Sequence, residues 1–515
     1  MSPTYYITTP VYYVNDKPHI GHAYTTLACD VLARFKRLDG YDVMFLTGTD
    51  EHGQKVEKAS LAADLDPQSF TNMVSQHFCD LSWAMGFTQD DFIRTTETRH
   101  VTAAQSFWRL LKNNGHIYLG YYEGWYSISD ETFYNEADIK NVAGQHIAPT
   151  GSVVQRMKNP SYFFDLSSWQ EKLLAFYEAN PNFIAPETRK NEVICFVKAG
   201  LRDLSISRTN FKWGIPVPDD EEHIMYVWLD ALTNYITAVD FPKVTSKYSQ
   251  YWPADLHIVG KDILRFHAVY WPAFLMGAGL EPPKRIFAHG WWTSDGRKIS
   301  KSIGNVIDPI ALIKTYGLDP VRYYLMREVP FGSDGHFSQR SIVKRMTSEL
   351  SNDVGNLLQR VFSMVAKNCG GTVPTPGRFT TEDLALLASA DALLVAVRRH
   401  FDDQAFHKGW EEIFCVIKHA NRYVDDQAPW GLYKSDYERM ATVLYTLLET
   451  IRYISILLQP VMPTSCAKML EQLAIPLDAR GFDQLDAKCG LTPGTRLPKP
   501  EGIFPRWVEP KDVLD

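Results

Sequence analysis

Two histidines flank a glycine near the start of the chain, in the segment His19-Ile20-Gly21-His22. The segment follows a β-branched and aromatic run, Tyr5 to Thr9, which is typical of a buried strand. The unpaired N–H groups at a helix N-terminus favour phosphate, and a glycine there lets a ligand approach the backbone. The segment therefore indicates a phosphate site, although two histidines at this spacing are more often found at a surface or a metal.

A second candidate segment lies far along the chain, in Lys298-Ile299-Ser300-Lys301-Ser302. Two lysines in a small, polar loop can capture a polyphosphate, and the alternative is an ordinary solvated loop. The chain has neither a Gly-x-x-x-x-Gly-Lys-Ser/Thr loop nor a Gly-x-Gly-x-x-Gly segment after a strand. If the protein uses a nucleotide, these two segments must bind it.

The elements around the first segment predict a parallel sheet. Apolar residues recur at helical spacing after His22, and Asp42 to Leu46 is typical of a second strand. Strand, helix and strand within about fifty residues form a βαβ unit. Parallel-strand character returns at Leu256 to Gly260. The helical stripe consists of Leu27, Val31, Phe35 and Leu38.

The rest of the chain shows two other residue patterns. Residues 116–222 are rich in Tyr, Asn and Pro, which suggests an inserted domain. From about residue 346 the pattern is helical, with a Gly/Pro-containing linker at Cys369 to Gly377. An α/β half followed by a helix bundle is the expected architecture. Three apolar stripes predict the bundle: Leu350, Val354, Leu357, Val361 and Val365; Ile413, Val416, Ile417, Ala420 and Val424; and Val443, Leu447, Ile451, Ile454 and Leu458.

Composition excludes several classes of protein. The 515 residues are 45% hydrophobic and 22% charged, as in soluble globular proteins, and no secretory signal is visible. The seven cysteines form no Cys-x-x-Cys pair, so reduced thiols in the cytoplasm are expected. A formal net charge of −7 argues against indiscriminate nucleic-acid binding but leaves a specific RNA ligand open.

Taken together, the two segments resemble the two signatures of class I aminoacyl-tRNA synthetases, and the likeness extends to the methionine-specific family. It covers residues 5 to about 465. One departure is Ile299, where that family usually has Met. The resemblance rests on five further segments: Thr8-Thr9-Pro10-Val11-Tyr12-Tyr13-Val14-Asn15, Thr47-Gly48-Thr49-Asp50-Glu51-His52-Gly53, Asp203-Leu204-Ser205-Ile206-Ser207-Arg208, Tyr226-Val227-Trp228-Leu229-Asp230-Ala231-Leu232 and Gly260-Lys261-Asp262-Ile263.

The resemblance implies the fold and its boundaries. It predicts a Rossmann-like catalytic domain with a parallel sheet, interrupted by an inserted α+β connective domain and followed by an α-helical anticodon-binding bundle. The expected ranges are 1–115 and 223–290 for the two catalytic halves, 116–222 for the insertion, 291–345 for the signature-loop and stem-contact region, and 346–515 for the bundle and tail.

The resemblance also implies the reaction. The carboxylate of L-methionine attacks the α-phosphorus of ATP and expels pyrophosphate, and methionine then passes to the terminal adenosine of tRNA(Met). Such catalysis consists of positioning and charge stabilisation. Mg²⁺ shares the charge of the pyrophosphate. The residues expected to be catalytic are His19, His22, Lys298 and Lys301, and those expected to bind ATP are His19, Gly21, His22, Gly260, Asp262, His289, Gly290, Trp291, Ser300 and Lys301.

A methionine pocket is expected around Asp50, the implied partner of the substrate ammonium group. Ile263 and His267 share one helical face. A second stripe of residues runs from Trp228 to Tyr235. Its spacing alone favours ordinary core packing, whereas the family resemblance implies that the stripe lines the pocket. The implied lining is Val11, Tyr13, Trp228, Ala231, Leu232, Tyr235, Ile263 and His267.

The inserted segment is roughly a hundred residues. We expect this to be too small for the hydrolytic editing domain of related synthetases whose amino acids differ from a competitor by one methylene. Where many relatives carry Cys-x-x-Cys knuckles, this chain has Ser127 and Asp130, with His146 further on. Serine is a poor zinc ligand, and one Asp–His pair does not complete a tetrahedral site. We therefore expect no structural zinc and no other bound metal site.

The helical end is expected to read the tRNA anticodon through Asn356, Arg360 and Trp430, of which the tryptophan suits base stacking. The alternative for the first two is a pair of solvated polar residues. We expect a monomer with no obligate protein partner and no membrane association. Two rival functions are another nucleotidyl-transferring ligase with the same signatures and an RNA-binding paralogue that has lost catalysis. The intact histidines and lysines argue against the second.

Overall fold

The structure is a computed structural model that describes residues 2–14, 16–127, 132–134, 139–142, 144–149, 151–294, 297–298 and 307–508. The strands are β1 Thr4–Tyr13, β2 Asp42–Asp50, β3 Asp91–Arg94, β4 Ile117–Ser127, β5 Thr132–Tyr134, β6 Lys140–Val142, β7 Gln145–Ile147, β8 Gln155–Phe164, β9 Ile184–Ala185, β10 Leu204–Ser205, β11 Ser207–Arg208, β12 Pro216–Val217, β13 Asp220–Met225, β14 Leu256–Gly260, β15 Ile286–His289, β16 Trp292–Ser294, β17 Arg297–Lys298 and β18 Gly335–Phe337.

The α-helices are α1 Ile20–Leu38, α2 Gln54–Ala62, α3 Pro67–Ala84, α4 Thr98–Asn113, α5 Gln170–Ala179, α6 Glu187–Lys198, α7 Val227–Thr237, α8 Ser246–Tyr251, α9 Trp271–Gly277, α10 Pro309–Tyr316, α11 Leu318–Arg327, α12 Gln339–Arg345, α13 Asn356–Asn368, α14 Thr381–Asp391, α15 Leu393–Asp402, α16 Phe406–Gln427, α17 Pro429–Ser435, α18 Tyr437–Leu458 and α19 Pro463–Gln472. Two segments, Phe266–Tyr270 and Met346–Gly355, are π-helical.

The central sheet has the order β3-β2-β1-β14-β15-β9, and its paired strands are parallel, which confirms the prediction. The chain runs outward from β1 in both directions, to β2 on one side and to β14 on the other. Ligands of open parallel sheets bind beyond the carboxyl ends of the strands at such a switch point. The sequence places His19 after β1, Asp50 at the end of β2, Gly260 at the end of β14 and His289 at the end of β15.

Helix α1 holds the first signature against the sheet. His19 is its N-cap, and Lys36 and Arg37 lie in its last turn, where positive charge complements the helix dipole. The predicted stripe is buried at Leu27, Val31 and Phe35 and half-buried at Leu38. Each fully buried apolar side chain contributes about 1.5–3 kcal/mol, so this face fixes the N-terminus of α1 beside β1.

The inserted segment forms a small antiparallel sheet in the order β10-β8-β4-β5. Strand β4 pairs with β8 from Ile117 opposite Phe164 to Tyr126 opposite Gln155. Phe164 is fully buried and meets Phe274 of α9 edge-to-face at 4.8 Å. The insertion therefore shares a hydrophobic core with the catalytic domain.

The C-terminal half is a helix bundle, as predicted. The residues of all three apolar stripes are buried. In the part of the chain that the structure describes, one helix, α18, has the length and apolar character of a membrane span, but 94% of its most apolar window is buried inside the protein. That burial is what a core helix of the bundle shows.

Arg322 of α11 joins the sheet domain to the bundle. Its guanidinium is fully buried and lies 2.6 Å from the Asp30 carboxylate of α1. It also donates to the carbonyl oxygens of Met85, Pro460 and Val461. A buried ion pair loses hydration, and the three carbonyl acceptors offset that cost. The arginine therefore fixes α18 and α19 relative to α1.

Candidate active site

One cavity of about 630 Å³ opens beyond the carboxyl ends of β1, β2, β14 and β15. It contains both the residues expected to bind an amino acid and most of those expected to bind a nucleotide. The lining includes all nine predicted pocket residues: Val11, Tyr13, Asp50, Trp228, Ala231, Leu232, Tyr235, Ile263 and His267. From the predicted nucleotide set it includes His19, Gly21, His22, Gly260, Asp262, His289 and Trp291.

His19 and His22 have their tautomers set by the backbone. Nδ1 of His19 accepts from the Gly21 amide at 3.0 Å, and Nδ1 of His22 accepts from the His19 amide at 3.0 Å. Each neutral ring therefore carries its proton on Nε2. The two ring centroids are 4.0 Å apart. A Cβ on Gly21 would lie 2.8 Å from Cε1 of His19, so this glycine is required for the close packing of the His19 ring.

Asp50 is a buried carboxylate at the end of β2. Its Oδ1 is buried and has no hydrogen-bond partner, which is costly for a charged oxygen. Burial, together with the neighbouring carboxylates of Asp230 and Glu51, raises the pKa of Asp50 well above its usual range. A cation that enters the cavity beside Asp50 would satisfy this oxygen and restore the ionised form.

Asp230 lies behind Asp50 and links three elements. Nδ1 of His52 lies 2.7 Å from Oδ2 of Asp230, and Nε2 of His100 lies 2.7 Å from Oδ1. Burial opposes ionisation of Asp230, but the two histidines outweigh it and lower its pKa to about 2. The carboxylate therefore accepts from both imidazoles and ties α7, which carries the pocket stripe, to α4 and to the segment after β2.

The far wall of the pocket is aromatic and uncharged. Burial lowers the pKa of His267 to about 4, so its ring is neutral at physiological pH. The Tyr235 ring stacks on His257 with centroids 4.1 Å apart, and Trp228 stacks on Phe266 at 3.8 Å. Aromatic surfaces of this kind suit a polarisable thioether.

The sequence predicts one helix from Ile263 to His267, and the structure differs in form. A 3₁₀ turn at Lys261–Ile263 is followed by the π-helical segment from Phe266. Nδ1 of His267 nevertheless lies 3.0 Å from the Ile263 carbonyl oxygen, so the two residues line the same side of the cavity.

Trp291 closes the opposite end of the cavity. Its ring nitrogen donates to Asp262 at 3.1 Å, and its backbone amide donates to Asp334 at 2.8 Å. The Lys261 ammonium lies 4.1 Å from the Trp291 ring centroid and pairs with Asp334 at 2.6 Å. Gly290 is not among the lining residues. A Cβ there would lie 2.3 Å from the backbone of Ser333, so packing requires glycine at this position.

The second signature lies only partly within the described residues. The backbone of Lys298 pairs with Thr293 in the β16–β17 hairpin, directly after Trp291. Ser300 and Lys301 lie outside the described residues, as does the Lys298 side chain. The hairpin thus begins at the cavity, and the expected contacts of these lysines stay predictions.

Several lining residues were missed by the sequence reasoning. One of them is Arg208, which belongs to a segment that carries the resemblance but for which no role was predicted. It lines the cavity, and its guanidinium lies 4.8 Å from the Tyr226 ring centroid. Thr25 lies 2.7 Å from Nε2 of His289. The others are Pro10, Tyr12, Gly53, Gln54, Lys55, Phe211, Tyr226 and Val227. The available signal for Arg208 was its position as the last residue of the segment Asp203 to Arg208, one of those that carry the resemblance.

On the bundle, the structure brings two of the three expected anticodon residues together. The Arg360 guanidinium lies 5.4 Å from the Trp430 ring centroid and 2.6 Å from Asp425. Trp430 is 53% exposed, which is high for tryptophan and leaves a face open for stacking. Asn356 is exposed at the start of α13, one helical turn from Arg360.

No group of three or more His, Cys, Asp or Glu side chains that could hold a metal occurs among the described residues. His146 contacts Trp125, with ring centroids 4.0 Å apart. Asp130 and the Ser127 side chain lie outside the described residues, so the absence of zinc stays a prediction.

Comparison with known proteins agrees with this geometry. Residues 5–362 match the family of class I tRNA synthetases (M), and residues 373–512 match the anticodon-binding domain of methionyl tRNA ligase. The chain is 54% identical to the methionine–tRNA ligase of Rickettsia bellii, over 99% of this chain and 100% of that protein. It is 53% identical to that of Mesorhizobium japonicum, over 98% of each.

Solved structures extend the likeness to three dimensions. The Mycobacterium tuberculosis methionyl-tRNA synthetase in complex with methionyl-adenylate matches with a TM-score of 0.92 and 52% identity, covering 98% of this chain and 100% of that one. Its free form matches with a TM-score of 0.88 and 49% identity, covering 99% of each chain.

The chain therefore belongs to the class I tRNA synthetases. Within that class its family is the methionine–tRNA ligases, and its enzymatic activity is the ligation of methionine to tRNA. The fold, the family and the reaction expected from the sequence are thereby confirmed.

Proposed function

We propose that the 630 Å³ cavity binds L-methionine at its Asp50 end and ATP at its His19–His22 end, and forms methionyl-adenylate where they meet. The observation that carries this proposal is that one cavity is lined by all nine residues expected to bind methionine and by seven of the ten expected to bind ATP. The Mycobacterium tuberculosis synthetase, whose fold is the same, is bound to methionyl-adenylate, and this supports the assignment.

The methionine ammonium group is placed against Asp50. The unpartnered Oδ1 supplies a charge-assisted acceptor, and the nearby Asp230 carboxylate adds negative potential. The thioether then reaches the wall formed by Tyr235, His267 and Trp228. Because that wall is neutral and aromatic, it favours an apolar side chain over a charged one. Each sulfur–aromatic contact contributes about 0.3–1.5 kcal/mol.

The phosphates of ATP are placed at the N-terminus of α1. His19 and His22 present Nε2–H donors, and the helix dipole adds positive potential. The guanidinium of Arg208 suits an anionic oxygen of either reactant. Lys298, Ser300 and Lys301, on the segment that begins at the β16–β17 hairpin, are assigned to the departing pyrophosphate.

Mg²⁺ fits this scheme as a companion of the nucleotide. It binds proteins through few carboxylates and takes phosphate oxygens as its other ligands. The described residues contain no group of three or more potential metal ligands. Mg²⁺ bound to the ATP phosphates would neutralise charge on the leaving group. The chain's own residues orient the carboxylate and the α-phosphorus for in-line attack.

The adenosine moiety is assigned to the end formed by Gly260, Asp262, His289 and Trp291, with Gly290 shaping the backbone there. In the second step the methionyl group passes to the 3′-terminal adenosine of tRNA(Met). The anticodon is read on the bundle by Asn356, Arg360 and Trp430, where the arginine and tryptophan lie side by side.

The organisation of the chain completes the proposal. The catalytic halves are residues 1–115 and 223–290, the insertion is 116–222, the signature region is 291–345 and the anticodon-binding part is 346–515. We assign the enzyme to the cytoplasm as a monomer without an obligate protein partner.

ATP–pyrophosphate exchange against each of the standard amino acids tests the proposal. Exchange with methionine alone, lost in Asp50→Asn, is the expected result. Exchange that prefers another amino acid, or that survives the substitution unchanged, would contradict the assignment of the Asp50 end. A gel-filtration measurement of mass tests the monomer.

A further inference from the structure

A buried charged cluster lies behind the turn that carries Trp430. Arg439, near the start of α18, donates through both terminal nitrogens to Asp383 of α14, at 2.5 and 2.7 Å. Asp383 is fully buried and also accepts from the Tyr423 hydroxyl and the Thr380 amide. The cluster therefore joins α14, α16 and α18 at one end of the bundle.

The same arginine reaches the end of α16. Nη2 of Arg439 donates to Oε1 of Gln427 at 2.6 Å, and Gln427 is the last residue of that helix. Burial opposes ionisation of Asp383, but the hydrogen bonds from Arg439 and Tyr423 outweigh it and hold its pKa below the usual range. The pair is therefore charged, and the bond to Gln427 is charge-assisted.

The next residues form a strained turn. Ala428 adopts a left-handed conformation, with φ +42° and ψ 55°, which a residue with a Cβ rarely takes. Pro429 then begins α17, and Trp430 follows with its ring beside Arg360. A left-handed alanine persists only where neighbouring contacts over-determine it. Gln427, held by Arg439, supplies such a contact on one side of the turn.

We propose that Arg439, backed by Asp383 and Tyr423, is a positioning residue for tRNA recognition: it holds Gln427, and through it the Ala428–Pro429 turn, so that Trp430 is presented to an unstacked anticodon base. The inference rests on the proposed function of Trp430. Arg439 itself does not contact the base. Its effect is to keep the stacking ring in place before tRNA arrives, which lowers the cost of ordering on binding.

A purely structural contribution is the alternative, and the chain offers a matched control. Arg452 lies on the same helix, α18, is almost fully buried and pairs with Glu449 at 2.9 Å. It also donates to the Gln484 carbonyl oxygen, far along the helix from the turn at Ala428. Replacing it removes a comparable buried ion pair without touching Gln427.

The experiment compares Arg439→Gln, Arg439→Lys, Gln427→Leu, Arg452→Gln and Trp430→Ala in the full chain. KM for tRNA is measured in aminoacylation, amino-acid activation by ATP–pyrophosphate exchange without tRNA, and folding by the thermal midpoint. Gln427→Leu removes the link to the turn while keeping the Arg439–Asp383 pair, so it reports on positioning even if Arg439→Gln folds poorly.

Arg439→Gln and Gln427→Leu are expected to raise KM for tRNA at least about tenfold, or roughly 1.4 kcal/mol, with exchange unchanged. Arg439→Lys keeps the charge and recovers part of the loss, and Arg452→Gln lowers the thermal midpoint but leaves KM for tRNA as in the wild type. The inference is overturned if Trp430→Ala raises this KM while Gln427→Leu does not. If Trp430→Ala has no effect either, the proposed anticodon function itself fails, and the inference with it.

Discussion

The Tyr235 hydroxyl lies 2.7 Å from Nε2 of His267 in the wall of the cavity. Nδ1 of the same ring lies 3.0 Å from the Ile263 carbonyl oxygen, which can only accept, so the ring proton is on Nδ1. Nε2 is then an acceptor, and Tyr235 must donate to it. One buried hydrogen bond thus fixes both the tautomer of His267 and the direction in which the tyrosine hydroxyl points.

Tyr235→Phe removes that donor and leaves a buried acceptor unsatisfied, at a cost of about 1–3 kcal/mol. We expect KM for methionine in ATP–pyrophosphate exchange to rise about tenfold or more, with KM for ATP little changed. Tyr177→Phe is the matched control, because the Tyr177 hydroxyl donates to the Ala268 carbonyl outside the cavity. Equal rises in KM for methionine in the two variants would show that the effect is general loosening.

Asp50→Asn should stabilise the free enzyme and abolish activation. The pKa of Asp50 is raised by burial and by Asp230 and Glu51. The folded state therefore binds more protons than the unfolded state above the ordinary aspartate pKa. By linkage the stability falls as pH rises through the interval between the two pKa values. At neutral pH the variant avoids this loss, so its thermal midpoint should exceed that of the wild type.

Glu51→Gln provides the contrast. Glu51 follows Asp50 in the chain, but both of its carboxylate oxygens have hydrogen-bond partners, since Arg94 donates to them at 2.7 and 2.9 Å. Its substitution should lower the midpoint. Methionine should raise the midpoint of the wild type and leave that of Asp50→Asn unmoved. A lower midpoint for Asp50→Asn would mean that the Asp50 carboxylate has a stabilising partner in the free enzyme, and it would contradict the prediction.

Gly21→Ala should impair ATP use through His19. The new Cβ would lie 2.8 Å from Cε1 of the ring, so the imidazole must move away from its bond to the Gly21 amide. A misplacement of about 1 Å can cost about 10²-fold in rate, and we expect exchange to fall by that order while methionine binding by equilibrium dialysis is unchanged. Gly431→Ala, where a Cβ meets open space, is the control for exchange. Normal ATP–pyrophosphate exchange in Gly21→Ala would contradict the assignment of His19 to the phosphates of ATP.

Lys301→Ala should lower adenylate formation by about 10²–10³, the usual effect of losing one donor to a developing anion. Methionine binding should be nearly intact, because the lysine is assigned to pyrophosphate. Pre-steady-state measurement of adenylate formation separates the two steps. An unaltered rate of exchange in this variant would reject the assignment.

Elemental analysis of the purified protein should find no stoichiometric zinc. The reason is the ligand set: Ser127 and Asp130 stand where the family resemblance leads us to expect cysteines, and serine is a poor zinc ligand. Treatment with a chelator should accordingly leave the thermal midpoint unchanged. One zinc per chain would show that the insertion uses ligands that the sequence pattern does not reveal.

The local pattern of the sequence was sufficient for the βαβ unit and the three stripes of the bundle, because periodic burial depends on residues only a few positions apart. It also placed His19 at a helix N-terminus after a strand. The stripe on α7 was assigned to the pocket only through the family resemblance. The type of helix in the segment from Lys261 to Tyr270 could not be predicted from the sequence. Its 3₁₀ turn has three residues and its π-helical stretch has five, and segments of about one turn are too short for the spacing of apolar residues to distinguish them from an α-helix.

Only the tertiary structure decided which distant residues meet. Asp230 is 178 positions from His52 and 130 from His100, yet one carboxylate joins all three. Arg208 lines the cavity from the inserted region, and Arg439 of α18 reaches Gln427 at the end of α16. These contacts depend on how sheets and helices pack and on which buried polar groups need hydrogen-bond partners. The spacing of residues along a short segment of sequence predicts neither. The sequence thus determined the chemistry that is available, and packing determined which groups share a site.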